Sequence, residues 1–151
     1  MNEHPEILLV EDNAFDAELA LRVLKGCNPA HHILHVKDGQ AALDHLDGDQ
    51  RYEKDGWPSL ESLKVVLLDL KLPKVDGLTV LRSIRSNPKT RMLPVVILTS
   101  SREERDVVET YDLGANSYIV KPVDFEAFSE ALSHLRRYWC VLNVPAPMSG
   151  G

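Results

Sequence analysis

Five polar residues follow four short apolar runs. Glu11 and Asp12 follow Ile7–Val10, Asp69 follows Val65–Leu68, Thr99 follows Val95–Leu98, and Lys121 follows Tyr118–Val120. Three carboxylates brought together repel one another and are stable as anions only when a cation joins them. An oxygen-only site with few protein ligands suits Mg2+, which keeps several waters and meets phosphate oxygens. Lys121 adds a positive charge and Thr99 a hydroxyl donor. That set suits phosphoryl transfer, where positioning and charge neutralisation do most of the work. A carboxylate can itself be the nucleophile and form an acyl phosphate. The chain contains no Gly-Lys-Ser/Thr phosphate loop and no Gly-x-Gly-x-x-Gly fingerprint. The phosphoryl group is therefore expected from another phosphorylated molecule and not from a nucleotide bound here.

For these residues to meet, the runs that precede them must end at one edge of a sheet. Short apolar runs alternate with segments of helical period, the pattern of a parallel α/β sheet. Strands are expected at Ile7–Val10, Ile33–Val36, Val65–Leu68, Val95–Leu98 and Tyr118–Val120. Helices are expected at Ala14–Lys25, Gln40–Leu46, Gly77–Ser86, about Arg102–Leu113, and from the Asp124 N-cap to about Val141. The first would turn Ala14, Ala17, Leu21 and Leu24 to one face, and the last Phe125, Phe128, Leu132, Leu135 and Trp139. In such sheets, sites form at the carboxyl ends of strands near the point where strand order reverses.

A chain of 151 residues corresponds to one domain. The receiver-like unit is expected over 1–144, with a polar insertion at about 47–63, an apolar extension at 138–144 and a disordered tail at 145–151. A net charge of −6 argues against binding nucleic acid, which needs a basic surface. Apolar runs of four or five residues are too short for a membrane span. Cys27 and Cys140 lie far apart, as expected of reduced thiols in a cytoplasmic protein. His31, His32 and His35 read as surface polar residues, and Trp57 as a local hydrophobic contact in the insertion.

Four ordered motifs carry a resemblance. They are ILLVEDN at the first strand, VVLLDLKLPKVDG around Asp69, VVILTSS at the fourth strand and GANSYIVKPV at the fifth. Together they resemble the response-regulator receiver family of two-component systems, over roughly residues 5–140. The resemblance implies a flavodoxin-like (βα)5 fold, doubly wound, with strand order 2-1-3-4-5. It makes Asp69 the phosphoacceptor. It makes Asp12, Asp69 and the backbone carbonyl of Lys71 the Mg2+ ligands, with Glu11 acting through water. Lys121 would pair with the phosphoryl group, Thr99 would bind it, and Tyr118 would turn inward as the switch. The bond before Pro122 would be cis. The donor would be a sensor histidine kinase, and a histidine-phosphotransfer protein could receive the group onward.

The long insertion and the Trp-containing extension are similar to single-domain regulators that serve phytochrome kinases. That similarity implies a homodimer through Phe128, Leu135, Tyr138, Trp139 and Leu142. With no DNA-binding segment after the fifth helix, output is expected through protein contact. Two alternatives have weaker support. A phosphatase of the haloacid-dehalogenase type would have a second Asp where Lys71 stands. A scaffold with a dead acceptor would not retain the full polar set. Lys71 and Ser101 stand where fast-hydrolysing members carry an amide or carboxylate, which implies a long-lived phosphorylated form.

Overall fold

Five parallel strands run in the order β2-β1-β3-β4-β5. They are β1 Ile7–Val10, β2 Ile33–Val36, β3 Val65–Leu68, β4 Val95–Thr99 and β5 Ser117–Val120. The structure is a computed structural model, and it describes residues 5–26, 33–46, 62–122 and 124–147. Among the described residues five α-helices follow the strands: α1 Ala14–Gly26, α2 Gly39–Leu46, α3 Gly77–Ser86, α4 Glu104–Asp112 and α5 Phe125–Arg136. The expected fold and strand order are both present. The calls on Cys27, His31, His32, Trp57 and most of the insertion lie outside the described residues.

The three inner strands are buried along their whole length, whereas β5 is only half-buried. Alternate residues serve opposite faces, as strand geometry requires. Leu8, Val10, Val66, Leu68, Val95 and Ile97 pack with Ala42, Leu46, Val80, Leu81 and Ile84 of α2 and α3. Ile7, Leu9, Val65, Leu67, Val96 and Leu98 pack with Ala20 and Leu24 of α1 and with Phe128, Leu132 and Leu135 of α5. This two-sided burial explains why the inner runs are continuous and not alternating.

The lower edge of the sheet is held by Arg85. Its guanidinium donates to the carbonyls of Gly114 at 2.9 Å and Leu93 at 2.7 Å, and to Asn116 Oδ1 at 2.8 Å. Asn116 Oδ1 also accepts from the Val95 amide, so one network joins α3, β4 and the turn into β5. Gly114 has φ 101°, a conformation that L side chains rarely adopt, and this ends the α4 connection.

Several expectations change. The Lys121–Pro122 bond is trans, as no peptide bond among the described residues is cis. A prolyl amide prefers trans by about 0.5–1 kcal/mol, and this backbone accommodates that default. Phe128 and Leu135 are 4% and 8% exposed, so they fill this chain's own core and are not free to meet a partner. Phe125 leaves the predicted face and is 56% exposed. In α1 the inner residues are Ala17, Ala20 and Leu24, while Ala14 is exposed.

The last helix also changes period. From Arg137 to Leu142 it widens to a π-helix, closed by the Asn143 amide on the Tyr138 carbonyl. The wider turn directs Cys140 and Trp139 toward the core and leaves Tyr138, Val141 and Leu142 outside. Lys64 Nζ fastens it from the start of β3 by donating to the Cys140 carbonyl at 2.9 Å. Pro145 and Ala146 lie beside Leu63, Met92 and Leu93.

Candidate functional site

The sheet's hydrogen bonds bring the predicted residues to one edge. The Asp69 amide donates to the Val10 carbonyl at 3.1 Å, and the Glu11 amide to the Val36 carbonyl at 3.1 Å. The Lys121 amide donates to the Thr99 carbonyl at 2.8 Å. Glu11, Asp69 and Lys121 are thus each the first residue past a strand, held by a neighbouring strand's ladder, and Thr99 is the last residue of β4.

The loop after β3 is shaped by a close approach. Gly77 opens α3, and its amide donates to the Leu70 carbonyl at 2.8 Å. A Cβ there would stand 2.2 Å from the Asp69 carbonyl oxygen. Asp76 caps α3 by accepting from the Thr79 amide at 2.9 Å. The Lys71 backbone meets Asp69 through its N–H, 3.3 Å from Oδ1.

Lys121 is the centre of the site. Its Nζ lies 2.5 Å from Glu11 Oε1, 3.0 Å from Asp16 Oδ2 and 3.1 Å from Asp69 Oδ2. Burial alone would lower its affinity for a proton, but the carboxylates of Glu11, Asp69 and Asp16 outweigh it and hold it above the ordinary lysine range. Burial pushes the Glu11 carboxyl up to about 7, against the stabilising effect of Lys121. One carboxylate oxygen from each of Glu11, Asp12 and Asp69 lies within 4.8 Å of the others. Glu11 and Asp69 are buried, whereas Asp12 is exposed, so one flank of the trio is open to water. A hard divalent cation with retained waters fits that donor set.

Thr99 is fully buried, and its Oγ1 lies 3.4 Å from the Ser101 amide. The Tyr118 ring packs against the core, and its hydroxyl donates to the Ser101 carbonyl at 3.0 Å. Burial pushes the Tyr118 phenol above its ordinary value.

Three participants escape the sequence reading. Asp16 sits in the first turn of α1, a position where acids are common for the helix dipole alone. Its spacing of four from Asp12 was the available signal. Asp106, in the first turn of α4, accepts from the Ser101 hydroxyl at 2.5 Å. His35 is not a mere surface residue, because its Nε2 lies 2.9 Å from the Glu11 carbonyl oxygen and braces the end of β1.

Residues 7–133 match the response regulator receiver domain. The probable methanogenesis regulatory protein FilR2 of Methanothrix harundinacea is 41% identical, over 91% of this chain and 84% of that protein. The response regulator Rcp1 of Synechocystis is 38% identical, over 93% of this chain and 92% of that protein. The crystal structure of the phosphorylated cyanobacterial phytochrome response regulator RcpA superimposes with a TM-score of 0.84 at 33% identity, covering 94% of this chain and 98% of that one. The Mn2+-bound form of Rcp1 gives 0.82 at 33% identity, covering 94% and 99%. The bacteriophytochrome response regulator RtBRR is 49% identical, with a TM-score of 0.68, covering 95% and 85%. With its fold, its acidic trio and its lysine in the places the motifs require, this chain belongs to the receiver-domain family of two-component response regulators.

Proposed function

We propose that Asp69 accepts a phosphoryl group from the phosphohistidine of a sensor kinase, and that the protein signals through the conformational change that follows. The observation that carries this reading is the Lys121 ammonium, bonded to Asp69 and Glu11 beside a gathered carboxylate trio. An Asp69 oxygen attacks phosphorus in line. The P–N bond breaks as the O–P bond forms, and the imidazole nitrogen keeps the electron pair and takes up a proton. Lys121, already in contact with the acceptor, pairs with the new phosphoryl oxygens.

Asp12, Asp69 and the Lys71 carbonyl would hold Mg2+ directly, and Glu11 through water. Bound there, the ion neutralises charge on the transferring group. The Thr99 hydroxyl then turns to the phosphoryl group. The segment through Ser101 follows, and Tyr118, bonded to Ser101, reports the movement. The phosphoryl group thereby shifts a population between two conformations.

The names of two of this chain's structural neighbours, the cyanobacterial phytochrome response regulator RcpA and the bacteriophytochrome response regulator RtBRR, support a phytochrome-type histidine kinase as the cytoplasmic donor. A histidine-phosphotransfer protein or another protein target would receive the signal. A homodimer is supported by the exposed apolar surface of Tyr138 and Leu142, at 50% and 59%, with Trp139 half-buried beside them. Neither nucleic acid nor membrane is needed for this role. Among the described residues no helix is long and apolar enough to cross a membrane.

The test is intact-protein mass spectrometry after incubation with acetyl phosphate and Mg2+. One phosphoryl adduct is expected on the wild type. It should be absent in Asp69→Asn and abolished by a chelator. An adduct that survives Asp69→Asn would refute the assignment of the acceptor.

A further inference from the structure

The Glu11–Asp12 peptide unit is the backbone between two of the three gathered carboxylates. In a parallel ladder a residue bonds through its amide and its carbonyl to two residues of the neighbouring strand, two apart. The Glu11 amide donates to the Val36 carbonyl at 3.1 Å, so the ladder's next donor would be the Asp38 amide. β2 ends at Val36, however, and the chain turns into α2 at Gly39. The donor comes instead from the His35 side chain, whose Nε2 lies 2.9 Å from the Glu11 carbonyl oxygen. A carbonyl only accepts, so Nε2 carries the hydrogen. The sheet places the ring for this. His35 pairs in register with Leu9, and Glu11 is the next residue of β1 on that face.

Asp12 gives the contact its consequence. Glu11 is buried, and its carboxylate is bonded by Lys121 and by the Asn13 amide at 3.2 Å. Asp12 is exposed, and among the described residues no donor bonds its carboxylate. The direction of that carboxylate is therefore set by the backbone on either side of it. On the far side Asn13 is fixed, since its carbonyl accepts from the Ala17 amide and its Oδ1 from the Asp16 amide. On the near side the peptide plane is held at its carbonyl by His35.

We infer that His35 is a positioning residue for the cation: by holding the Glu11–Asp12 peptide it keeps the Asp12 carboxylate turned toward Glu11 and Asp69. This rests on the reading of the acidic trio as the cation site that serves phosphorylation of Asp69. A ligand already in place loses less freedom when the ion binds, so its orientation beforehand registers as affinity. Once the ion is bound, the ion itself holds Asp12. Loss of the imidazole donor therefore weakens cation binding and leaves transfer at saturating cation as it was.

The experiment titrates the full chain with Mn2+ and follows the free ion by electron paramagnetic resonance. His35→Leu removes the donor at similar bulk. His35→Asn keeps a polar group too short to reach the carbonyl. His35→Gln restores an N–H donor near the position of Nε2. A neutral hydrogen bond corresponds to a factor of roughly two to ten in an equilibrium. The Mn2+ dissociation constant is expected to rise about fivefold in His35→Leu and His35→Asn, and to stay within about twofold of wild type in His35→Gln. The Mg2+ concentration for half-maximal labelling of Asp69 by acetyl phosphate should rise by the same factor, with the maximal rate unchanged. A general loosening of β2 would instead lower the maximal rate. Unchanged Mn2+ affinity in His35→Leu and His35→Asn, an equal loss in His35→Gln, or a lowered labelling rate at saturating Mg2+ would overturn the inference. Failure of the wild type to bind Mn2+ or to take any label would overturn the proposed function, and this inference with it.

Discussion

The Tyr118 hydroxyl and Ser101 are joined through the backbone: the phenol donates to the Ser101 carbonyl at 3.0 Å. The same serine presents its amide to Thr99 Oγ1 at 3.4 Å and donates its hydroxyl to Asp106 at 2.5 Å. Its Oγ also lies 3.3 Å from the Glu103 amide. One buried residue thus connects the hydroxyl after β4, the aromatic on β5 and the first turn of α4. If Thr99 moves toward a phosphoryl group, these bonds oppose the movement.

Breaking the α4 bond should ease that movement. Removing Asp106 deletes a charge-assisted bond of about 1.5–3 kcal/mol, part of which the resting state alone enjoys. Asp106→Ala is expected to tighten binding of beryllofluoride with Mg2+, a phosphoryl mimic, by about fivefold, close to 1 kcal/mol. Tyr118→Phe removes a neutral bond and should act less, by about twofold. Fluorescence titration checks both. Weaker binding in Asp106→Ala would mean that the contact belongs to the activated conformation instead.

Gly77 offers a case where two effects oppose and magnitudes decide. Alanine at a helix position gains about 1 kcal/mol over glycine. Here its Cβ would meet the Asp69 carbonyl oxygen at 2.2 Å and the Leu70 Cα at 2.6 Å. Both are backbone atoms, so relief requires moving the acceptor's own loop. Overpacking of this kind costs about 1–3 kcal/mol, and backbone neighbours put it at the upper end. Gly77→Ala is expected to lower stability by about 2 kcal/mol net in urea unfolding, and to slow labelling of Asp69 by acetyl phosphate.

The strands were legible because their runs are short, continuous and covered on both faces, as ILLV and VVLL are. The site was legible for the same reason: an acid or amine directly after such a run must emerge at the carboxyl edge. What the residues concealed depends on geometry that spacing does not encode. RYWCVL has the same residues whether its turn is α or π, so which side chains face out could not be read. Phe128 and Phe125 are equally apolar, yet only packing against α1 and the sheet decides that one is core and the other surface. Asp16 looks like any acid in a first turn until Lys121 is found 3.0 Å away.

Arg85, on α3, holds the opposite edge of the sheet. Its guanidinium serves the carbonyls of Gly114, Leu93 and Arg91 and the side chain of Asn116. Lysine has a point charge in place of a fork and cannot meet acceptors in so many directions. Arg85→Ala is expected to cost about 3 kcal/mol, because half-buried carbonyls lose their donors together. Arg85→Lys should cost about 2 kcal/mol. Urea unfolding with an unchanged slope would register these as losses of native stability.

His45 supplies a pH dependence remote from the acceptor. It lies on the inner face of α2 and is buried, and that burial lowers its imidazole below the ordinary value of 6.5 despite the neighbouring Asp44 charge. Above that value the side chain is neutral in both folded and unfolded chains, and it contributes no slope. As pH falls through 6.5, the unfolded chain takes up the proton first and is favoured. Stability is therefore lost from about pH 7 downward, and the loss levels off only below the lowered folded value. His45→Gln carries no such proton, so the fall in urea midpoint between about pH 7.5 and 5.5 should be smaller in the variant than in wild type. The comparison between the two chains isolates His45 from the other histidines, which titrate in both. An identical pH profile for wild type and variant would show that His45 is protonated equally in the folded and unfolded states.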